Sequence, residues 1–285
     1  MSATTLPAAI RISGEELRVS GVPRLIFIST GVLFVAGIAA AAAWSSTGDI
    51  RWLHLFFNYP GSLFLLGCGS LALWLGFRCW RQFSPGDLLR PAWLLITISA
   101  LLQLSAAVPI RSSSEWSELS GTLYMVFLAC GLLYVLKACR QIGVLGQLKT
   151  VDFILLGVVL LYTLIFFVTV VFSPQHGGRT VGPHAIISWT SDPLLCVLLL
   201  EAILIRRSAA NLGWGLVSRC WMCFTAAIFL TSVGDIGLWA SSKGYLPHFL
   251  EVASWYTWFL ASAAYALGPA YQSQAMLRAM RGHVG

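Results

Sequence analysis

The chain has 285 residues, 58% of them hydrophobic and only 10% charged, with a mean hydropathy of +0.79. A soluble domain carries about 25% charge, so a chain this apolar cannot cover itself with a wettable surface, and lipid must be its main solvent. The net charge of +7 would suggest nucleic acid in a soluble protein, but here the basic residues sit in short loops, where they fix membrane orientation, and nucleic acid is not an expected partner.

Apolar runs of about 18 residues or more read as membrane spans. Eight such helices are predicted: 25–44, 62–80, 91–108, 119–136, 151–172, 186–205, 220–240 and 252–271. The expected fold is therefore an all-α, polytopic membrane helix bundle. Its parts are an N-terminal segment (1–24), a transmembrane domain (25–271) and a short tail (272–285).

The basic residues give the orientation. Arg11, Arg18 and Arg24 precede the first span. Arg78, Arg81 and Arg90 lie between the second and third, and Lys137, Arg140 and Lys149 between the fourth and fifth. Arg206, Arg207 and Arg219 lie between the sixth and seventh, and Arg278 and Arg281 in the tail, which makes 14 on one side. The other side has only Arg51, Arg111, Arg179 and Lys243. The side rich in Lys and Arg is cytoplasmic, so both termini are expected in the cytoplasm and the location in a bacterial inner membrane. Ala39 to Ala43 offers an A-x-A cleavage site, but the apolar run before it is longer than a signal peptide's, and an uncleaved first helix is expected. Tryptophans gather near both ends of the spans, as an aromatic belt would.

The loops are too short to hold a soluble domain, so function is expected inside the bundle or on its rims. Ionisable groups within a bilayer are costly and tend to face the bundle interior. Asp192 and Asp235 each lie about 7–9 Å below the same outer rim at 1.5 Å per residue. Their spans, the sixth and seventh, are neighbours, so the two carboxylates can share one outward pocket. Asp192 has a second reading: Ser191-Asp192-Pro193 is also the pattern of a helix N-cap followed by proline. Asp235 has no basic residue at four positions either side, where Thr231 and Trp239 stand. Glu201 is expected either to pair with a basic residue such as Arg219 or to serve as an intramembrane relay.

On the eighth span, Glu251, Trp255, Trp258, Ser262 and Tyr265 fall on one helix face. An aromatic wall opposite Asp235 and Trp239 suits a small amphipathic or cationic ligand; belt packing is the alternative. The candidate ligand residues are thus Asp192, Asp235, Trp239, Glu251, Trp255 and Trp258. His54, His176, His184 and His248 fall in outer loops and His283 in the tail. No metal site, cofactor or catalytic residue is assigned, and Cys220-x-x-Cys223 on an apolar helix reads as packing. No short enzyme signature is present.

The last third carries Ser191-Asp192-Pro193, Gly234-Asp235-Ile236-Gly237-Leu238-Trp239, Gly244-Tyr245, Trp255, Trp258 and Ala263-Ala264-Tyr265-Ala266. It resembles the multi-pass N-terminal membrane region of some bacterial sensor proteins, the diguanylate cyclases and histidine kinases whose eight or nine helices precede a cytoplasmic output domain. The resemblance covers about residues 190–272. It implies a sensory, receptor-like module; since the sequence stops at Gly285 without an output domain, a separate cytoplasmic or membrane signalling partner is expected. A small-molecule transporter and an intramembrane biosynthetic enzyme are the alternative readings. A vestibule closed at its inner end favours a receptor and a through-path favours transport.

Overall fold

A computed structural model of the chain describes the backbone of residues 8–107, 114–171, 183–213, 215–242 and 249–282. It describes the side chains of 19–105, 119–165, 168, 193–213, 215–238, 240–241 and 252–280. Every regular element among the described residues is a helix. In lipid the backbone has no water to bond, so an apolar chain must close its hydrogen bonds within each segment. The elements are α1 (Ala8–Thr47), α2 (Arg51–Phe56), a π-helical turn (Phe57–Gly61), α3 (Ser62–Gln82), α4 (Leu89–Ala107), α5 (Ser114–Gln141), α6 (Thr150–Val171), α7 (Pro183–Asn211), α8 (Leu216–Ser242) and α9 (Phe249–Gly282). The stretches Val19–Thr47, Arg51–Gln82, Leu119–Gln141 and Leu216–Leu238 are long and apolar enough to cross a membrane, and Leu89–Ser105 and Thr150–Ile165 are shorter apolar helices. This is a helical membrane protein.

Six helices close a ring in the order α9, α3, α4, α5, α7, α8 and back to α9. Outside the ring, α1 packs on α9 and α6 chiefly on α7. These two present broad apolar faces outward, among them Phe27, Val35, Leu160 and Leu164. Hydroxyls within the bundle are satisfied locally: Thr97 donates to the Trp93 carbonyl at 2.6 Å, Thr225 to Trp221 at 2.9 Å and Ser232 to Ile228 at 3.0 Å. That habit lets polar residues sit in an apolar bundle at little cost.

Several boundaries depart from expectation. Helix α1 begins at Ala8, ahead of the expected 25, and α9 runs on to Gly282. The reason is packing: Val19 and Val22 on one, Gln272, Ser273, Gln274 and Leu277 on the other, are all buried. The N-cap reading of Asp192 is not realised. Helix α7 begins at Pro183 and passes through Pro193. Pro183 takes the first position, where a missing N–H costs nothing, whereas Pro193 inside the helix gives up the bond to the Trp189 carbonyl and crowds it with its ring.

Candidate functional site: a cavity around Asp235

Asp235 stands between Gly234 and Gly237 on α8, and these glycines set its surroundings. A Cβ on Gly234 would meet the Trp258 indole and the Thr257 hydroxyl, and one on Gly237 would meet the Ser254 hydroxyl. Only bare backbone lets α9 seat this closely on α8. The close seating brings the Trp258 Nε1–H onto Asp235 Oδ1 at 3.1 Å. Trp258 in turn meets Trp255 edge to face, with ring centroids 5.1 Å apart and an interplanar angle of 75°. Behind Trp255 lies Phe57 at 5.1 Å, carried by the π-helical turn that contains Pro60.

Asp235, Trp255 and Trp258 wall one side of a cavity of about 450 Å³. Its far side comes from Leu65, Cys68 and Gly69 of α3, Gln103 and Leu104 of α4, and Gly121, Tyr124 and Met125 of α5. Thr231, Ala261, Ser262 and Tyr265 complete it. The contributing stretches are the first halves of α3, α5 and α9 and the second halves of α4 and α8, so the cavity sits at one end of the bundle. Asp235 is the one charged residue among the described residues that line it.

The cavity has a floor. Buried Tyr265 holds Ser99 on α4, with 2.6 Å between their oxygens. The Ile96 carbonyl lies within reach of both hydroxyls, 2.7 Å from Ser99 and 3.3 Å from Tyr265, so the three groups form one buried cluster. Beneath Tyr265 lies Phe224, edge to face at 5.3 Å, and Phe224 meets Trp93 at 6.2 Å. Gly268 makes room, since a Cβ there would meet the Phe224 ring at 2.6 Å. Trp93 and Trp221, 6.1 Å apart, then line a second cavity of about 430 Å³ at the opposite end, with Cys139, Ile205 and Gln272. Two chambers thus stand back to back across a layer of Tyr265, Phe224 and Trp93.

The structure brings Asp235, Trp255 and Trp258 together, with Ser262 and Tyr265 of the predicted face. Asp192, Trp239 and Glu251 lie on described helices, but their side chains are outside the described residues. Besides α8 and α9, which carry Asp235 and the tryptophans as expected, the described lining comes from α3, α4 and α5; the side chains of residues 183–192 of α7, including Asp192, lie outside the described residues.

Glu201 is separate from the cavity. It is 4% exposed, and neither carboxylate oxygen has a hydrogen-bond partner among the described residues. Its expected pairing with Arg219 is absent there, as is one with Arg206. Arg206 and Arg207 turn instead to Asp152, at the start of α6. Arg207 is bidentate on that fully buried carboxylate through Nε and Nη2, both at 2.8 Å, and Arg206 Nη2 adds a contact at 3.2 Å. The Lys149 N–H donates to the same group at 2.8 Å, as a third-position acid does in a capping box. Sequence reasoning missed this clamp. Its signal was an acid three residues into a span, facing an Arg-Arg pair at the end of the next.

Among the described residues no group of three or more His, Cys, Asp or Glu lies together to hold a metal. Comparison with family models, with curated proteins and with solved structures found no match.

Proposed function

We propose that the chain is a receptor-like sensory module of a bacterial inner membrane. It crosses the bilayer as eight helices with both ends in the cytoplasm, takes a small ligand into the Asp235 cavity from outside, and is read at its inner face by a cytoplasmic or membrane signalling partner. The division of Lys and Arg between the loops supports the orientation. The likeness of residues 190–272 to the membrane regions of sensor proteins supports the role.

The observation that carries the reading is the closed floor. Tyr265, Ser99 and Phe224 end the cavity partway through the bundle. The polar route a permease would use from Asp235 and Gln103 stops there, since Glu201 does not line the cavity. A specific observation favours transport as the second reading: the chamber at the opposite end abuts the same aromatic layer.

Accessibility separates the two. Ser262→Cys, in a Cys68→Ala background, is treated with a membrane-impermeant trimethylammonium-ethyl methanethiosulfonate in right-side-out and in inverted vesicles. A receptor cavity reacts from the outside only. Reaction from both faces would show alternating access and replace the sensory reading with transport.

A further inference from the structure

We propose that the second chamber, at the Lys- and Arg-rich end of the bundle, binds a small uncharged molecule with an apolar body and an amide edge, an N–H beside a carbonyl as in a lactam. The inference goes beyond the sensory reading. It concerns the chamber on the other side of the aromatic layer and depends neither on the Asp235 cavity nor on which end faces out.

The chamber forms where four helices reach the same end. Trp93 of α4, Val135 of α5, Ile205 of α7 and Trp221 of α8 line it, and all four are buried. One polar side chain interrupts this apolar wall. Gln272 of α9 is 7% exposed, lines the chamber, and makes no side-chain hydrogen bond among the described residues. Gln274, two positions on, is the contrast, because its amide donates to the Val19 carbonyl of α1. Residues two apart on a helix point about 200° apart, so one glutamine serves the contact with α1 and the other faces the chamber.

A buried amide ordinarily holds partners, since an unmade donor or acceptor costs free energy. The Gln272 carboxamide offers both a donor and an acceptor, side by side in one plane. The group that satisfies both at once is a matching pair, the cis amide edge of a lactam, an imide or a pyrimidinone ring. Trp93 and Trp221, with ring centroids 6.1 Å apart, give the body of such a molecule a broad apolar surface. The volume, about 430 Å³, lies within the usual range for small-molecule pockets.

Charge points the same way. Asp87 is the one charged residue among the described residues that line the chamber, and its Oδ1 accepts the Leu89 N–H at 2.8 Å where α4 begins. That carboxylate is committed to capping a helix. The buried walls beside Gln272 carry no charge to offset that of an ionic ligand, and burying an unpaired charge costs far more than burying an amide that finds its partner.

The test uses the purified full chain in lipid nanodiscs, with binding read by calorimetry. The probe is 2-quinolinone. Its control is coumarin, which has the same shape with the ring N–H replaced by oxygen. 2-Quinolinone should bind saturably and at least about tenfold tighter than coumarin, which sets a second acceptor against the Gln272 carbonyl. Gln272→Met keeps the size, loses no side-chain bond to the described residues, and should equalise the two probes. Bound 2-quinolinone should also slow alkylation of Cys139, a free thiol of the lining, followed at that residue by mass spectrometry. Equal binding of the two probes, or no saturable binding of 2-quinolinone up to about 1 mM, overturns the assignment. So does an undiminished preference in a folded Gln272→Met protein, or binding that leaves Cys139 alkylation at its free rate. The comparison of the two probes on the unmodified chain stands even if Gln272→Met does not fold.

Discussion

Gln274 Nε2 donates to the Val19 carbonyl at 3.1 Å, joining the last helix to the first. The bond has a local cause. The Val19 carbonyl is the acceptor that the amide of residue 23 would use in an unbroken helix, and residue 23 is proline. Gln274 fills the vacancy, and both residues are buried. Removing the donor leaves a buried acceptor unmade, so Gln274→Leu should cost about 1–2 kcal/mol. Pro23→Ala restores the helix's own donor, and in that background Gln274→Leu should cost little. A double-mutant cycle by denaturant titration checks this; purely additive costs would contradict it.

The Asp152 clamp ties the α6 start to the α7 end, and α6 has few other neighbours. Breaking it leaves two arginines facing a lost charge, so Asp152→Asn should lower stability by about 3 kcal/mol. Limited proteolysis near residues 143–149 should quicken with it, because Gly146 in that loop bonds Ser208 of α7 at 2.8 Å. An unchanged unfolding midpoint would contradict the clamp.

Glu201 is the opposite case. A buried carboxyl without a partner is a cost the fold bears. Glu201→Leu should stabilise the protein by about 1–3 kcal/mol. Destabilisation on thermal unfolding would mean that the side chain has a partner it needs.

Gly234→Ala places a methyl against Trp258 and Thr257. It should pry the indole from Asp235 and destabilise by about 1–3 kcal/mol. The emission of the protein should shift as Trp258 loses its bond. Wild-type stability and spectrum would show that α9 does not seat on the glycines.

Asp235 and the Trp255–Trp258 face were legible because each is a local pattern: a lone acid in an apolar run, and aromatic residues on one helical face. The far wall was not. Cys68, Gln103 and Tyr124 reach the cavity through the closure of the ring, which joins helices distant in sequence. Asp192-Pro193 misled for a related reason: an N-cap motif is a local preference, and the helix it should open had already begun at Pro183. Glu201 was expected to pair with a basic residue such as Arg219 or to serve as a relay, and among the described residues its carboxylate has no hydrogen-bond partner; the arginines nearest it in sequence are Arg206 and Arg207. Tertiary packing gave both to Asp152.

Reading a filled outer cavity at the inner face is the central property of a receptor, and hydrogen exchange measures it most directly. The Cys68→Ala, Ser262→Cys protein is modified from outside with the trimethylammonium-ethyl reagent, which leaves an ammonium group tethered in the cavity. Amide exchange across residues 272–282 is then compared with the unmodified protein, with Cys68→Ala alone as the control for the remaining native thiols. The end of α9 should change its exchange by about threefold or more, as expected when a ligand shifts a two-state element. Full modification with no change in exchange at 272–282 would contradict a sensory role.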